Sequence, residues 1–276
     1  MTYSSLMVHL DLGTSNAALL SVTADMAARF GARVIGIAAC QPMMMAYSDG
    51  YMSADVIEDD RTALEKQCLA AETEFRTALD GKVPALLWRS SVGYDALSNV
   101  ISAEMRAADL LLIAPAAGTV REAPTQRVNL GDLVMQVGRP VLVVPPSAAK
   151  LDLDQIVIGW KDTRETRRAV WDALPLLRKA VQVTVAQISE DDDLTDTDLQ
   201  LQDVTNWLRS HGVTAEKLAI KSMDNPGARL EVLAADRRAQ ILVTGAYGHN
   251  RLREWVLGGV TRDLLLHPAR CSFVSH

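Results

Sequence analysis

Residues 245–260 read GAYGHNRLREWVLGGV and follow the apolar run Ile241-Leu242-Val243-Thr244. Glycines set just after a strand and just before a helix let backbone amides approach an anion closely, because no Cβ stands in the way. Gly245, Gly248, Gly258 and Gly259 are placed in this manner, and Thr261 adds a hydroxyl two residues on. The same residues have a structural reading, in which Gly245 and Gly248 let the chain leave a sheet and Gly258-Gly259 let a helix pack tightly. Spacing alone leaves both open. A second group is Lys161, in GWKDT, followed by Arg164, Arg167 and Arg168; with Arg251, Arg253 and Arg262 beside the glycine loop, these could favour an acidic ligand. The ordinary alternative is a solvated helix face paired with Glu165 and Asp172. A third is His9 with Asp11, which share one side of a strand and could form an acid–base pair, although a histidine packed between sheet and helix is the simpler account.

Other chemistries lack their residues. GxSxG, GxxxxGK[ST] and HExxH are absent, so no positioned nucleophile, P-loop or zinc-protease helix is evident, and the chain is not expected to be an enzyme. Cys40, Cys68 and Cys271 are odd in number and far apart, with no CxxC pair, and read as buried free thiols. EDDDLTDTD, residues 190–198, lacks the glycine and terminal glutamate of an EF-hand and reads as a solvated loop entering a helix. A net charge of −6 argues against broad attachment to nucleic acid or to anionic lipid. No apolar stretch is long enough to span a bilayer, and no secretory signal is apparent at the start, so a cytoplasmic location is the expectation.

The elements that must position these residues emerge from an internal repeat. LMVHLDLGTSNAALLSVTADMAARFGARVIGIA and QIVIGWKDTRETRRAVWDALPLLRKAVQVTVAQI each run strand, polar turn, helix, strand, at an offset of 150 that sets Asp11 opposite Lys161. Further on, VPALLWRSSVGYDALSNVISAEMRAADLLLIAPA aligns with VTAEKLAIKSMDNPGARLEVLAADRRAQILVTGA at an offset of 131. The first half therefore carries about nineteen extra residues, around the Met-rich segment near 41–60, between its second strand and second helix. That segment is apolar and soft enough to cover the first-half crevice or to contact a partner. PPSAAKLDLD, residues 145–154, reads as the linker.

Apolar runs such as IVIGW, DLLLIA and VLVV suit strands buried on both faces, as in a parallel sheet flanked by helices. Strands are expected near 6–10, 33–39, 84–88, 109–114 and 140–144, and again near 155–160, 181–187, 214–220, 240–244 and 271–275. The fold class is α/β, with two doubly wound, five-stranded parallel sheets, Rossmann-like, in domains spanning 1–147 and 148–276. Asp162-Thr163, Asn225-Pro226 and Asp95 are candidate helix starts, and RLREWVLGGVTRDLLLHP is a candidate final helix.

Two such units, with G-x2-G-x9-G after the fourth strand of the second, resemble a tandem universal stress protein over nearly the whole chain apart from 41–60. The resemblance implies a role in stress response, a glycine loop that clasps the phosphates and ribose of ATP, and an Asp ending the first strand that contacts adenosine. It also implies that the terminal strands of the two halves meet, making one chain a pseudo-dimer, with further homodimerisation expected. Each half departs from the motif. In the second, Gly245, Gly248 and Gly258 fit, but Gly259 stands where Ser or Thr is usual and Lys161 replaces the acidic residue. In the first, Asp11 is acidic as in the family, but Ala114, Ala117, Arg127 and Val128 occupy the loop positions, with Pro115 crowding them.

The expected ligand is thus ATP, another adenine nucleotide or another anionic small molecule. It would be held in the second half by Lys161, the loop glycines and Thr261, with Val185 and Ala186 as candidate adenine neighbours; the first half would be mainly structural. Two rivals remain: a partner-binding scaffold using the Met-rich segment, and a slow nucleotide hydrolase.

Overall fold

A computed structural model describes residues 2–42, 54–115, 127–191, 193–223, 225–246 and 268–276. The first half contains β1 (Ser5–His9), α1 (Ala17–Phe30), β2 (Arg33–Cys40), α2 (Ala54–Leu79), β3 (Leu86–Val92), α3 (Leu97–Glu104), β4 (Leu110–Ile113), α4 (Leu130–Gln136) and β5 (Val141–Val143). The second contains β6 (Gln155–Gly159), α5 (Arg164–Leu177), β7 (Gln182–Ser189), α6 (Thr195–Ser210), β8 (Ala215–Lys221), α7 (Pro226–Asp236), β9 (Ile241–Gly245) and β10 (Cys271–Ser275). The expected final helix lies outside the described residues.

The ten described strands join one sheet in the order β3-β2-β1-β4-β5-β10-β9-β6-β7-β8. Every neighbouring pair is parallel except β5 and β10, which run antiparallel with Phe273 opposite Leu142. The two terminal strands thus meet at the centre and make the chain an intramolecular pseudo-dimer. Central strands β1, β4, β5 and β10 are buried along their whole length, while the outer strands β3 and β8 are only half covered. That gradient explains the sequence pattern: near-continuous apolar runs belong to strands covered on both faces, and the mixed runs RSSV and AEKLAIK belong to edges.

Alternate side chains of each strand feed opposite layers. Leu6 and Val8 join a core cluster with residues of α1, α2, α5 and α6. Met7 joins a second cluster under α3 and α4, and Val157 a third under α7. The larger cluster runs through both halves, from Tyr3 to Phe273.

Three local expectations change. The segment between β5 and β6 is a docked strap: Leu151 and Leu153 are buried, the Leu151 amide donates to Asp25 Oδ2 at 2.9 Å, and Arg29 donates to the Leu151 carbonyl at 2.9 Å. The extra residues of the first half do not all precede its second helix, because α2 has 26 residues against 16 in α6. Thr163 and Asn225 do cap α5 and α7, but Asp95 does not cap α3; the cap position is Ala96, one residue later, and it makes no side-chain bond.

Candidate functional site

In each half the chain winds one way from the first strand and the other way from the fourth, so β1/β4 and β6/β9 are switch points. In sheets of this kind a ligand crevice is expected there, beyond the carboxyl ends of the strands.

The first-half crevice is lined by His9, Asp11, Thr14, Cys40, Ala114 and Arg127, among others, and encloses about 70 Å³. Its floor is built by a stapled turn. Gly13, at φ +73°, lets the chain reverse between β1 and α1, a conformation that residues with a Cβ adopt reluctantly. Asn16 then closes the turn by accepting from the Asp11 amide at 3.0 Å and donating to the Asp11 carbonyl at 3.1 Å. Glu74 of α2 holds Asn16 from the far side, accepting from its backbone amide at 2.9 Å and from its side-chain amide at 3.1 Å. The turn leaves the Asp11 side chain 37% exposed, with Oδ1 at 3.6 Å from His9 Nδ1.

His9 is buried, and neither ring nitrogen has a hydrogen-bond partner among the described residues. Burial lowers its pKa, with Asp11 opposing, so the imidazole favours its neutral form, with one donor and one acceptor. It is thus both a packed residue and a wall of the crevice. Across the cleft, Ala114 and Pro115 follow β4; Ala117 lies outside the described residues. Val128 is buried, and Asn129 Oδ1 already accepts from the Asp132 amide at the start of α4, so that amide is not free for an anion.

The second-half crevice is described only in part. Gly248, Gly258, Gly259 and Thr261 lie outside the described residues, as do Arg251, Arg253 and Arg262. Gly245 ends β9, and the reason for glycine there is packing: a Cβ would collide with the Thr166 amide nitrogen and stand 2.6 Å from the Glu165 carbonyl carbon. The first turn of α5 therefore rests directly on the end of β9. Gly159 plays a similar part in β6, where a Cβ would lie 2.8 Å from Leu230 Cδ1 of α7. Val185 is fully buried in the core shared with α5 and α6, and Ala186 is buried toward α7.

Lys161 projects into solvent just past β6, where Trp160 is held by its amide to the Ala186 carbonyl at 2.7 Å. The arginines that follow are occupied. Arg167 chelates Asp162 Oδ1 through Nε at 3.0 Å and Nη2 at 2.7 Å, Arg168 pairs with Asp172 at 2.8 Å, and Arg164 binds Glu165 closely. Lys161 has no ion pair among the described residues. Glu165 is legible as a partner of the arginine row but not as a buried one; its side chain is 2% exposed and Oε2 has no partner among the described residues, as is also true of the Trp160 indole nitrogen. Burial opposes ionisation of Glu165, but Arg164, its own backbone and Thr163 outweigh it and hold the carboxyl below the usual range. The acidic run before α6 acts as a helix start, with Asp193 accepting from Thr195 and Asp198 paired with Lys217. Among the described residues, no group of His, Cys, Asp and Glu is arranged to hold a metal, and no helix is long and apolar enough to cross a membrane.

No family model and no curated protein matches the sequence. Among solved structures, the fold matches a universal stress protein from Archaeoglobus fulgidus DSM 4304 with a TM-score of 0.72 and 12% identity, over 98% of this chain and 97% of that one. It also matches a functionally unknown protein from Pseudomonas aeruginosa PAO1, with a TM-score of 0.62 and 12% identity, over 99% and 92% of the two chains. At such identity the likeness is one of fold: the chain has the tandem universal stress protein fold, with both halves in one polypeptide.

Proposed function

We propose that the protein serves in stress response as a nucleotide-binding universal stress protein, taking ATP or another anionic adenine nucleotide in its second-half crevice without catalysing a reaction on it. The observation that carries this reading is Lys161. It stands at the switch point with no ion pair among the described residues, while Arg164, Arg167 and Arg168 are each matched to a carboxylate. A donor-only ammonium at a strand end favours a phosphate, and the glycine pattern 245–260 would supply backbone amides. The absence of a Ser or Thr at Gly259 and of an acidic residue at 161 makes the binding weaker than a full motif would give.

A second reading rests on the first-half crevice, where the Asp11 carboxylate and the His9 ring, without a hydrogen-bond partner among the described residues, could receive ligand hydroxyls. Titration calorimetry with ATP separates the two. Lys161→Glu is expected to weaken binding by about tenfold or more, equal to about 1.4 kcal/mol, and Asp11→Asn to leave it unchanged. The reverse pattern would move the ligand to the first half. No heat from the unaltered protein would leave the partner-binding scaffold, and phosphate release would reveal hydrolysis. A cytoplasmic homodimer is part of the proposal. Because β5 and β10 already pair within the chain, a second copy has to dock elsewhere, and light scattering at twice the 30.0 kDa of the chain tests for it.

A further inference from the structure

Cys40 and Cys68 lie 28 residues apart in sequence and share one buried site. Cys40 ends β2, Cys68 sits on the face of α2 packed against it, and both belong to a small cluster with Ala38 and Leu64. The two thiols interact directly within that cluster, and Cys40 Sγ donates to the Ser91 carbonyl at 3.8 Å. Cys40 is part of the wall of the first-half crevice, so a molecule the size of water or peroxide has a path to Cys40, with Cys68 in the cluster behind it.

We propose that Cys40 and Cys68 are a peroxide-oxidisable dithiol that closes to a disulfide and cross-links β2 to α2 at the first-half crevice. The pair is electronically unequal. Interaction with Cys40 lowers the Cys68 thiol against burial and Glu65, whereas interaction with Cys68, together with burial, pushes the Cys40 thiol up. Cys68 is therefore the attacking thiolate and Cys40 the resolving thiol. Cys68 sulfur attacks one oxygen of hydrogen peroxide; the O–O bond breaks, the departing hydroxide takes a proton to become water, and a sulfenic acid is left on Cys68. Cys40 sulfur then attacks the Cys68 sulfur, its proton goes to the leaving hydroxide, and the S–O bond breaks as the S–S bond forms. Two thiols lose two electrons and two protons, and one peroxide is reduced to two waters. Closure brings the two sulfurs to about 2.05 Å.

The third thiol is an internal control. Burial in β10 pushes Cys271 up to about 12, and no cysteine partner accompanies it among the described residues. Full-length reduced protein would be treated with hydrogen peroxide, denatured, alkylated and digested for mass spectrometry. The expected product is a peptide pair joined through Cys40 and Cys68, lighter by about 2 Da than the two free thiols and separated by dithiothreitol, with Cys271 alkylated. Cys40→Ser should lose the cross-link and leave a sulfenic acid on Cys68 that a 1,3-dione traps. Should that variant not fold, the map of the unaltered protein decides alone. Free Cys40 and Cys68 after peroxide, oxidation of Cys271 as fast as the pair, or sulfinic acid with no cross-link would each overturn the proposal.

Discussion

His9 is the residue whose environment makes the plainest claim about solution behaviour. The folded protein lowers its pKa below the ordinary 6.5 through burial, so the unfolded chain binds the proton more readily. Its contribution to stability is therefore intact above pH 6.5 and is lost as pH falls below that value toward the folded pKa. Denaturant midpoints measured above and below pH 6.5 should show this loss in the unaltered protein and a smaller one in His9→Phe. Asp11→Asn should deepen it, because Asp11 is the group that raises the His9 pKa. A pH dependence unchanged by His9→Phe would refute the assignment. How much of such detail the sequence carries differs by residue. Asp11 and Lys161 were placed correctly at strand ends, because a strand followed by a polar turn fixes that position within a residue or two. Gly245 reads as the first loop residue but ends β9, and the close approach of α5 that requires glycine there depends on a helix about eighty residues earlier in the chain. Cys40 and Cys68 read as unrelated thiols, since nothing local signals that α2 turns one toward the other.

At the scale of elements, the strands were legible because their burial on both faces writes itself as unbroken apolar runs, and the repeat reinforced each one. Helix starts were legible only where the capping residue is adjacent to the first turn. Asn225 Oδ1 accepts from the Gly227 amide at 2.9 Å and the Ala228 amide at 3.4 Å, so Asn225→Ala should cost about 0.5–2 kcal/mol in chemical denaturation. Asp95 precedes α3 by one residue too many. Its carbonyl accepts from Gln41 Nε2 at 2.8 Å and its side chain caps nothing, so Asp95→Ala should cost only a few tenths of a kcal/mol. Equal losses from the two variants would contradict the correction. A one-residue shift of this kind is invisible to pattern reading, because aspartate and alanine both stand in a plausible flanking position.

For the whole molecule, the unbroken sheet bears on how the two halves behave. Ser275 of the last strand donates to Asp172 Oδ2 at 2.7 Å, and Tyr3 of the first half donates to the Asp172 carbonyl at 2.6 Å. The strap of residues 145–154 is bound to α1, and the largest core cluster contains side chains of both halves. Scanning calorimetry should therefore show one unfolding transition, with van't Hoff and calorimetric enthalpies in agreement. Two resolved transitions would mean that the halves are independent domains. Phe273→Ala, at the centre of the β5–β10 seam, should lower that single transition by about 3–5 kcal/mol. The same pseudo-symmetry presents two crevices that differ in charge, one with Asp11 and one with Lys161, and the account holds that they also differ in what they bind. A crystal structure determined with ATP tests this most directly. The account predicts phosphate oxygens within about 4 Å of Lys161 Nζ and an empty first-half cleft. A nucleotide seated on Asp11 and His9, with none at Lys161, would contradict it.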